Sequence, residues 1–164
     1  INPDVIALRH EFEVPEDPER IEIYCADGAS FIAKKSDAYD VILVDGFDHQ
    51  GQAPQLSSQT YYDDCFRALA PEGVMVVNRH HDEADHALVG KRIQQAFDGK
   101  VFEVASQEKS NSIFFACKTA RLGLDEWRHN LRTANPLKDS DPMMRAQLLA
   151  EFARITWAAT QAAY

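Results

Sequence analysis

Residues 39–62 read YDVILVDGFDHQGQAPQLSSQTYY. The stretch divides into an apolar run of Val41, Ile42, Leu43 and Val44, a polar loop carrying Asp45 and Asp48, and a helix start that Ser57 or Ser58 can cap. A strand with apolar side chains on both faces is expected inside a parallel sheet, with helices above and below it. This one runs straight into two carboxylates three residues apart. In open α/β sheets ligands bind beyond the carboxyl ends of the strands. The acids are therefore either an ordinary loop exit, satisfied by backbone N–H groups, or a pair presented to a ligand.

The pattern on either side extends this reading. Asn2 can cap a helix with Pro3 at its first position, running through Val5, Ile6, Leu8 and Phe12. VPEDPER, residues 14–20, breaks it. RIEIYCADG alternates Ile21, Ile23 and Cys25 against Glu22 and Tyr24 and predicts a strand ending at Asp27-Gly28, followed by a short helix in ASFIAKK. Downstream, QTYYDDCFRALA is a helix stopped by PEG at 71–73, and GVMVVN is a second buried strand ending at Asn78. DEADHALVGKRIQQAF follows as an amphipathic helix, with Ala84, Leu88 and Ile93 or Phe97 on one stripe. KVFEVA and SIFFACK form a closing antiparallel pair, and helices punctuated by Pro136 and Pro142 fill the chain beyond Gly123. Strands alternating with helices at this spacing predict an α/β fold with a mostly parallel sheet and flanking helices. Asp27, Asp45 and Asn78 then stand at successive strand ends, where a site belongs.

Composition narrows the classes of function. The chain has 164 residues, 45% of them apolar, which suffices for one domain with its own core. A formal charge of −9 and a pI near 5.0 give neither nucleic acid nor an anionic membrane an electrostatic reason to approach. Cys25, Cys65 and Cys117 are odd in number and lack metal-type spacing, so they read as reduced small hydrophobes in a cytoplasmic protein. No apolar run approaches membrane-spanning length, and no signal peptide is evident. The sequence opens at Ile1 as though a helix were already under way, which reads as a piece of a longer protein.

Two carboxylates in a partly dry cleft attract an ammonium group, and one whose pKa is raised by its neighbour can take a proton from it. An amine nucleophile needs both services. Here the residues carry a resemblance. Residues 25–77, from CADGASF through YDVILVDGFDHQGQAPQLSSQTYY to PEGVMVV, resemble the core of the polyamine aminopropyltransferases, the spermidine synthase family. The resemblance extends over roughly residues 1–118. It implies a Rossmann-like sheet of the S-adenosylmethionine-dependent methyltransferase type, and transfer of an aminopropyl group from decarboxylated S-adenosylmethionine to a diamine such as putrescine. By the same resemblance Asp27 contacts the adenine amino group, with Gly28 and Ala29 close to the base. Asp45 holds and deprotonates the attacking amine, Asp48 helps bind it, and Tyr61 and Tyr62 match an aromatic pair at the next helix start. Asn78 stands where the family has a glutamine, His49 and Gln52 where it has two prolines, and Gln107 near a tyrosine position. The family's glycine-rich GGGDG loop is absent, and its acidic ribose-binding residue would fall just before Ile1.

Other clusters have plainer readings. In RHHDEADH, Glu83 and His86 lie three apart as in some carboxylate-bridged metal sites, but Asp82 is a natural N-cap and acids suit a first helical turn. No metal is expected, and His80 is the histidine expected to face the cleft. Trp127 and Trp157, with Leu131, Met144, Leu148 and Phe152, suit packing or a dimer face. The expectation is thus a spermidine synthase-like transferase with residues 1–120 as the Rossmann-like domain and 121–164 as a helical extension. It has no tightly bound cofactor, takes an adenosyl-sulfonium donor and a small amine as partners, and by family analogy forms a homodimer. A methyltransferase using S-adenosylmethionine itself, and a non-catalytic domain retaining the fold, are the alternatives.

Overall fold

The computed structural model describes residues 2–48, 51–80, 83–105, 111–119 and 141–162. Four strands, β1 (Tyr39–Val44), β4 (Leu69–His80), β5 (Val101–Ala105) and β6 (Asn111–Cys117), form one sheet in the order β1-β4-β6-β5. A two-residue pair, β2 (Phe47–Asp48) and β3 (Gly51–Gln52), makes a separate small hairpin. The main sheet is mixed. β1 runs parallel to β4, while β6 is antiparallel to both β4 and β5, and β5–β6 is the expected closing hairpin.

Side-chain alternation divides the sheet into two faces. On one, Val44, Met75, Val77, Phe114 and Ala116 are buried against α2 (Gly28–Ile32), α3 (Gln59–Ala68) and α4 (His86–Ala96), whose Ile32, Tyr62, Cys65, Val89 and Ile93 complete the core. The other face carries Leu43, Val76, Asn78, Ile113 and Phe115; the long C-terminal helix α5 (Pro142–Gln161) packs at its β5 side and leaves β1 open. The division of the chain near residue 120 falls among residues outside the described set, as do Trp127, Leu131 and Gln107.

Local signals act as expected. Asn2 caps α1 (Pro3–Ala7) by accepting from the Asp4 N–H at 2.9 Å, and Ser58 caps α3 by accepting from the Tyr61 N–H at 3.1 Å. Asp141 caps α5 through the N–H groups of Met143 and Met144. Cys65 and Cys117 are buried, whereas Cys25 is exposed.

Several expectations are corrected. Residues 21–25 join no sheet, and Ile23 and Tyr24 stay exposed. β1 is consequently an edge strand among the described residues, and it is not covered on both faces: Val41 is 56% and Leu43 74% exposed. PEG does not stop α3. The helix ends at Leu69, which turns to extended geometry, while its last carbonyls, Arg67 and Ala68, accept from the Asp37 and Ala38 N–H groups. Residues 71–73 lie inside β4 at a register shift against β1, and a Cβ on Gly73 would come within 2.9 Å of the Ala70 carbonyl oxygen. The stripe of α4 is Val89, Ile93 and the following Phe97, all buried, whereas Leu88 is exposed.

Candidate active site

Asp45 leaves the carboxyl end of β1, and Asn78 sits near the end of the neighbouring parallel strand β4. The parallel register pairs Val44 with Val77, so the next residue on each strand arrives at the same level. Asn78 Nδ2 donates to Asp45 Oδ1 at 2.9 Å. A carboxylate only accepts, so this bond fixes the amide orientation and turns Asn78 Oδ1 the other way, where it is buried with no partner among the described residues. Both side chains border a cavity of about 950 Å³ that runs from the sheet edge along Val76, Ile113 and Phe115 beneath α5. Two of the three strand-end residues read from the sequence therefore meet at one cavity.

The third, Asp27, is the N-cap of α2. Its Oδ1 accepts from the Ser30 N–H at 2.7 Å, and that bond holds its carboxyl below the usual carboxylate range. The turn-and-cap reading of Asp27-Gly28 is thus realised in the structure. Gly28 and Ala29 form the first turn of α2. Leu56, in the 3₁₀ turn Pro54–Ser57, links this loop to the Asp45 loop, since its methyl groups lie 3.4 Å from where a Cβ on Gly28 would be and 2.6 Å from one on Gly46.

Asp48 occupies β2, paired with Gly51 across the hairpin; its side chain and residues 49–50 lie outside the described set. The hairpin is fastened to the end of β4 by three contacts. Phe47 meets the exposed His80 ring edge-on at 5.0 Å, the Gln52 N–H donates to Glu83 Oε1 at 3.4 Å, and Arg79 Nη1 donates to Gln52 Oε1. Gly51 has φ +112°, a conformation that favours glycine, and a Cβ there would stand 2.9 Å from Glu83 Oε1 and oblige that carboxylate to shift. Gln52 thus holds the loop both by its side chain and by its backbone N–H.

Arg79 is the residue that sequence reasoning missed. It continues the inward row Met75, Val77, Arg79 of β4, is 1% exposed, and pairs with Glu83 Oε2 and, at 2.5 Å, with Asp85 Oδ1. The available signal was its parity: a cation on the buried face of a strand needs acids, and Glu83 and Asp85 follow within six residues. Those pairings account for Glu83 and Asp85 of RHHDEADH, while Asp82 lies outside the described residues. His86 contacts Glu103 Oε1 at 3.0 Å, and among the described residues no group of three or more His, Cys, Asp or Glu is placed to hold a metal.

Tyr61 and Tyr62 are both in the core, their rings 5.5 Å apart edge-to-face. Burial raises both phenols above their ordinary range, and Tyr61 also hydrogen-bonds with Cys65. Tyr61 does not line the cavity that holds Asp45 and Asn78.

Residues 8–110 match the family model for the spermine/spermidine synthase domain. The chain belongs to the spermine/spermidine synthase family. It is 33% identical over 139 residues to a polyamine aminopropyltransferase of Chromobacterium violaceum, covering 84% of this chain and 53% of that protein. It is 35% identical over 121 residues to a polyamine aminopropyltransferase of Neisseria meningitidis, covering 73% and 46%. The chain thus spans about half the length of the curated relatives it matches. Among solved structures it resembles a spermidine synthase in complex with the transition state analogue AdoDATO, with a TM-score of 0.63, 25% identity, and coverage of 74% of this chain and 45% of that one. It also shares its Rossmann-like fold with human methyltransferase-like protein 13, with a TM-score of 0.68 and 22% identity over 87% of this chain and 72% of that one. No helix of the described residues is long and apolar enough to cross a membrane.

Proposed function

We propose that this chain carries the amine-activating centre of a spermidine synthase-like aminopropyltransferase. In this reading the amine nitrogen attacks the aminopropyl carbon bonded to sulfur in decarboxylated S-adenosylmethionine. The carbon–sulfur bond breaks, its electrons leave with neutral methylthioadenosine, and the proton shed by the amine passes to Asp45. The single observation that carries the reading is the Asp45–Asn78 pair at the sheet's ligand edge, 2.9 Å apart and open to a cavity. Asn78 keeps one carboxylate oxygen fixed, so the other is free to receive an ammonium in a set direction. Positioning and deprotonation are the main tasks, because the leaving group is already good.

Asp48 assists from the hairpin that Arg79 and Gln52 fasten over the strand ends, and Asp27, Gly28 and Ala29 receive the adenine at the start of α2. Tyr61 supports this edge from the core beneath it. Residues 1–120 act as the Rossmann-like domain and 121–164 as a helical extension. The adenosyl donor and a small amine, putrescine being the type acceptor, are the partners; no cofactor is tightly held. A dimer in the cytoplasm is the setting this reading assigns.

The test is methylthioadenosine release from decarboxylated S-adenosylmethionine with a panel of amines that includes putrescine. Asp45→Asn is expected to lower turnover by about 10²–10⁴-fold while leaving methylthioadenosine binding by calorimetry unchanged. Full turnover in Asp45→Asn, or methyl transfer from S-adenosylmethionine in place of aminopropyl transfer, would sink the reading.

A further inference from the structure

Leu56 fills the gap between the loop that starts α2 and the loop that leaves β1. Its Cδ1 lies 2.6 Å from where a Cβ on Gly46 would be, and its Cδ2 lies 3.4 Å from one on Gly28. Gly46 directly follows Asp45, and Gly28 directly follows Asp27. Both glycines lie outside the left-handed region, so what they supply is space rather than backbone conformation. Carbon atoms pack about 3.5–4.0 Å apart, so a methyl group at position 46 would push Leu56 by roughly 1 Å. A methyl group at position 28 would only touch it.

The wedge has a fixed base. Within the 3₁₀ turn, the Leu56 N–H donates to the Ala53 carbonyl at 2.9 Å, and Ser57 Oγ donates to the Pro54 carbonyl at 3.1 Å. Arg92 reaches across from α4 and donates from Nη1 to the Ser57 carbonyl at 2.7 Å, where a cation suits the open carbonyls at the end of a helical turn. Gln59, at the start of α3, donates to the Arg92 carbonyl at 3.2 Å. Two helices therefore hold the turn, and the Leu56 side chain must absorb any movement of either loop. Its two methyl groups share one carbon, so displacing one swings the other.

We infer that Leu56 is a positioning residue that makes the donor end of the site, Asp27 to Ala29, and the acid end at Asp45 move as one. The inference rests on the aminopropyl-transfer reading of those residues. That reaction needs the donor carbon and the amine nitrogen aligned together, and a shared wedge lets occupancy of one end set the other. Linkage makes the effect reciprocal. Simple packing, the plainer role of a half-buried leucine against the core, would stabilise both loops without linking them.

Gly46→Ala tests this from the acid end. In the ligand-free chain it is expected to speed amide hydrogen exchange of residues 28–33 about fivefold or more, while α4 keeps its own rate. Methylthioadenosine binding in calorimetry should weaken by a similar factor. In a Leu56→Ala background the added methyl group has room, and Gly46→Ala should then change either quantity by less than about twofold. Leu56→Val, one carbon shorter, runs the same cycle with a smaller loss of packing. Equal effects of Gly46→Ala with and without Leu56, or unchanged exchange at 28–33 when Leu56 is present, would overturn the inference. Coupled exchange in a chain that transfers no aminopropyl group would overturn the proposed reaction alone. Aminopropyl transfer by a chain whose two loops respond independently would overturn the inference alone.

Discussion

Arg79 is a full positive charge in a row of buried apolar side chains, held there by Glu83, Asp85 and Gln52. Removing one partner of a buried ion pair leaves the others desolvated and uncompensated, which costs more than the pair contributes. Arg79→Met is expected to destabilise by about 3 kcal/mol in denaturant unfolding, and the Glu83→Gln, Arg79→Met double variant should recover part of that loss. Because Gln52 loses its anchor, the single variant should also raise KM for the amine more than it changes methylthioadenosine affinity. The cysteines offer a second test at this scale. Burial pushes the Cys65 thiol up to about 12, so it is protonated and enclosed at pH 8, whereas Cys25 is exposed. Iodoacetamide labelling read by peptide mass spectrometry should modify Cys25 and leave Cys65 untouched until the protein unfolds.

At the scale of elements, what the sequence revealed depended on how far each signal reaches. Helix starts were legible where a capping side chain acts within three residues, since Asn2 and Ser58 both accept from the expected N–H groups. By contrast α4 starts at His86, later than the expected Asp82, with Asp85 at its N-cap and no side-chain hydrogen bond there. Asp45 and Asn78 were legible because a strand end marks the ligand edge whatever its neighbours are. Arg79 was overlooked although its parity along β4 was readable, because parity becomes burial only once β4 has paired and its inward face is covered. The stripe of α4 was placed one residue out, on Leu88, since both choices keep helical spacing and only the packing against Phe114 decides. Ile93→Ala should accordingly cost about 2–5 kcal/mol, and Leu88→Ala less than about 0.5 kcal/mol, by chemical denaturation. The loops make a pH prediction. Asp27 is held below its ordinary range by the Ser30 N–H, and Asp37 by Lys118, which donates to its Oδ1 at 2.7 Å. A carboxylate with a depressed folded pKa stabilises above its unfolded value, about 3.9, and that contribution disappears as pH falls through the folded value. The Asp27→Asn, Asp37→Asn double variant should be less stable at pH 6 and show a shallower loss of midpoint from pH 5 to pH 2.

The whole molecule is layered unevenly. Among the described residues three helices cover one face of the sheet, while the other has α5 alone, held at its β5 side where Arg154 donates to the Ala105 carbonyl. The uncovered portion lies over β1, whose outer edge also carries no partner strand among the described residues. An open edge beside exposed apolar side chains is a template for pairing with another chain, and natural sheets commonly blunt such edges with lysine. Net charge opposes association, since a chain of −9 repels its copies, but that repulsion is screened within about 8 Å at physiological salt. Self-association should therefore rise with ionic strength. Val41 is the position to test, because it is 56% exposed, sits on the open face and does not border the cavity. Val41→Lys should lower dye binding to exposed apolar surface and reduce sedimentation-detected association at high salt, while shifting stability by less than about 0.5 kcal/mol. Unchanged association would place the sticky surface elsewhere. A loss of several kcal/mol would mean that Val41 is buried in solution, and hence that the face over β1 is covered.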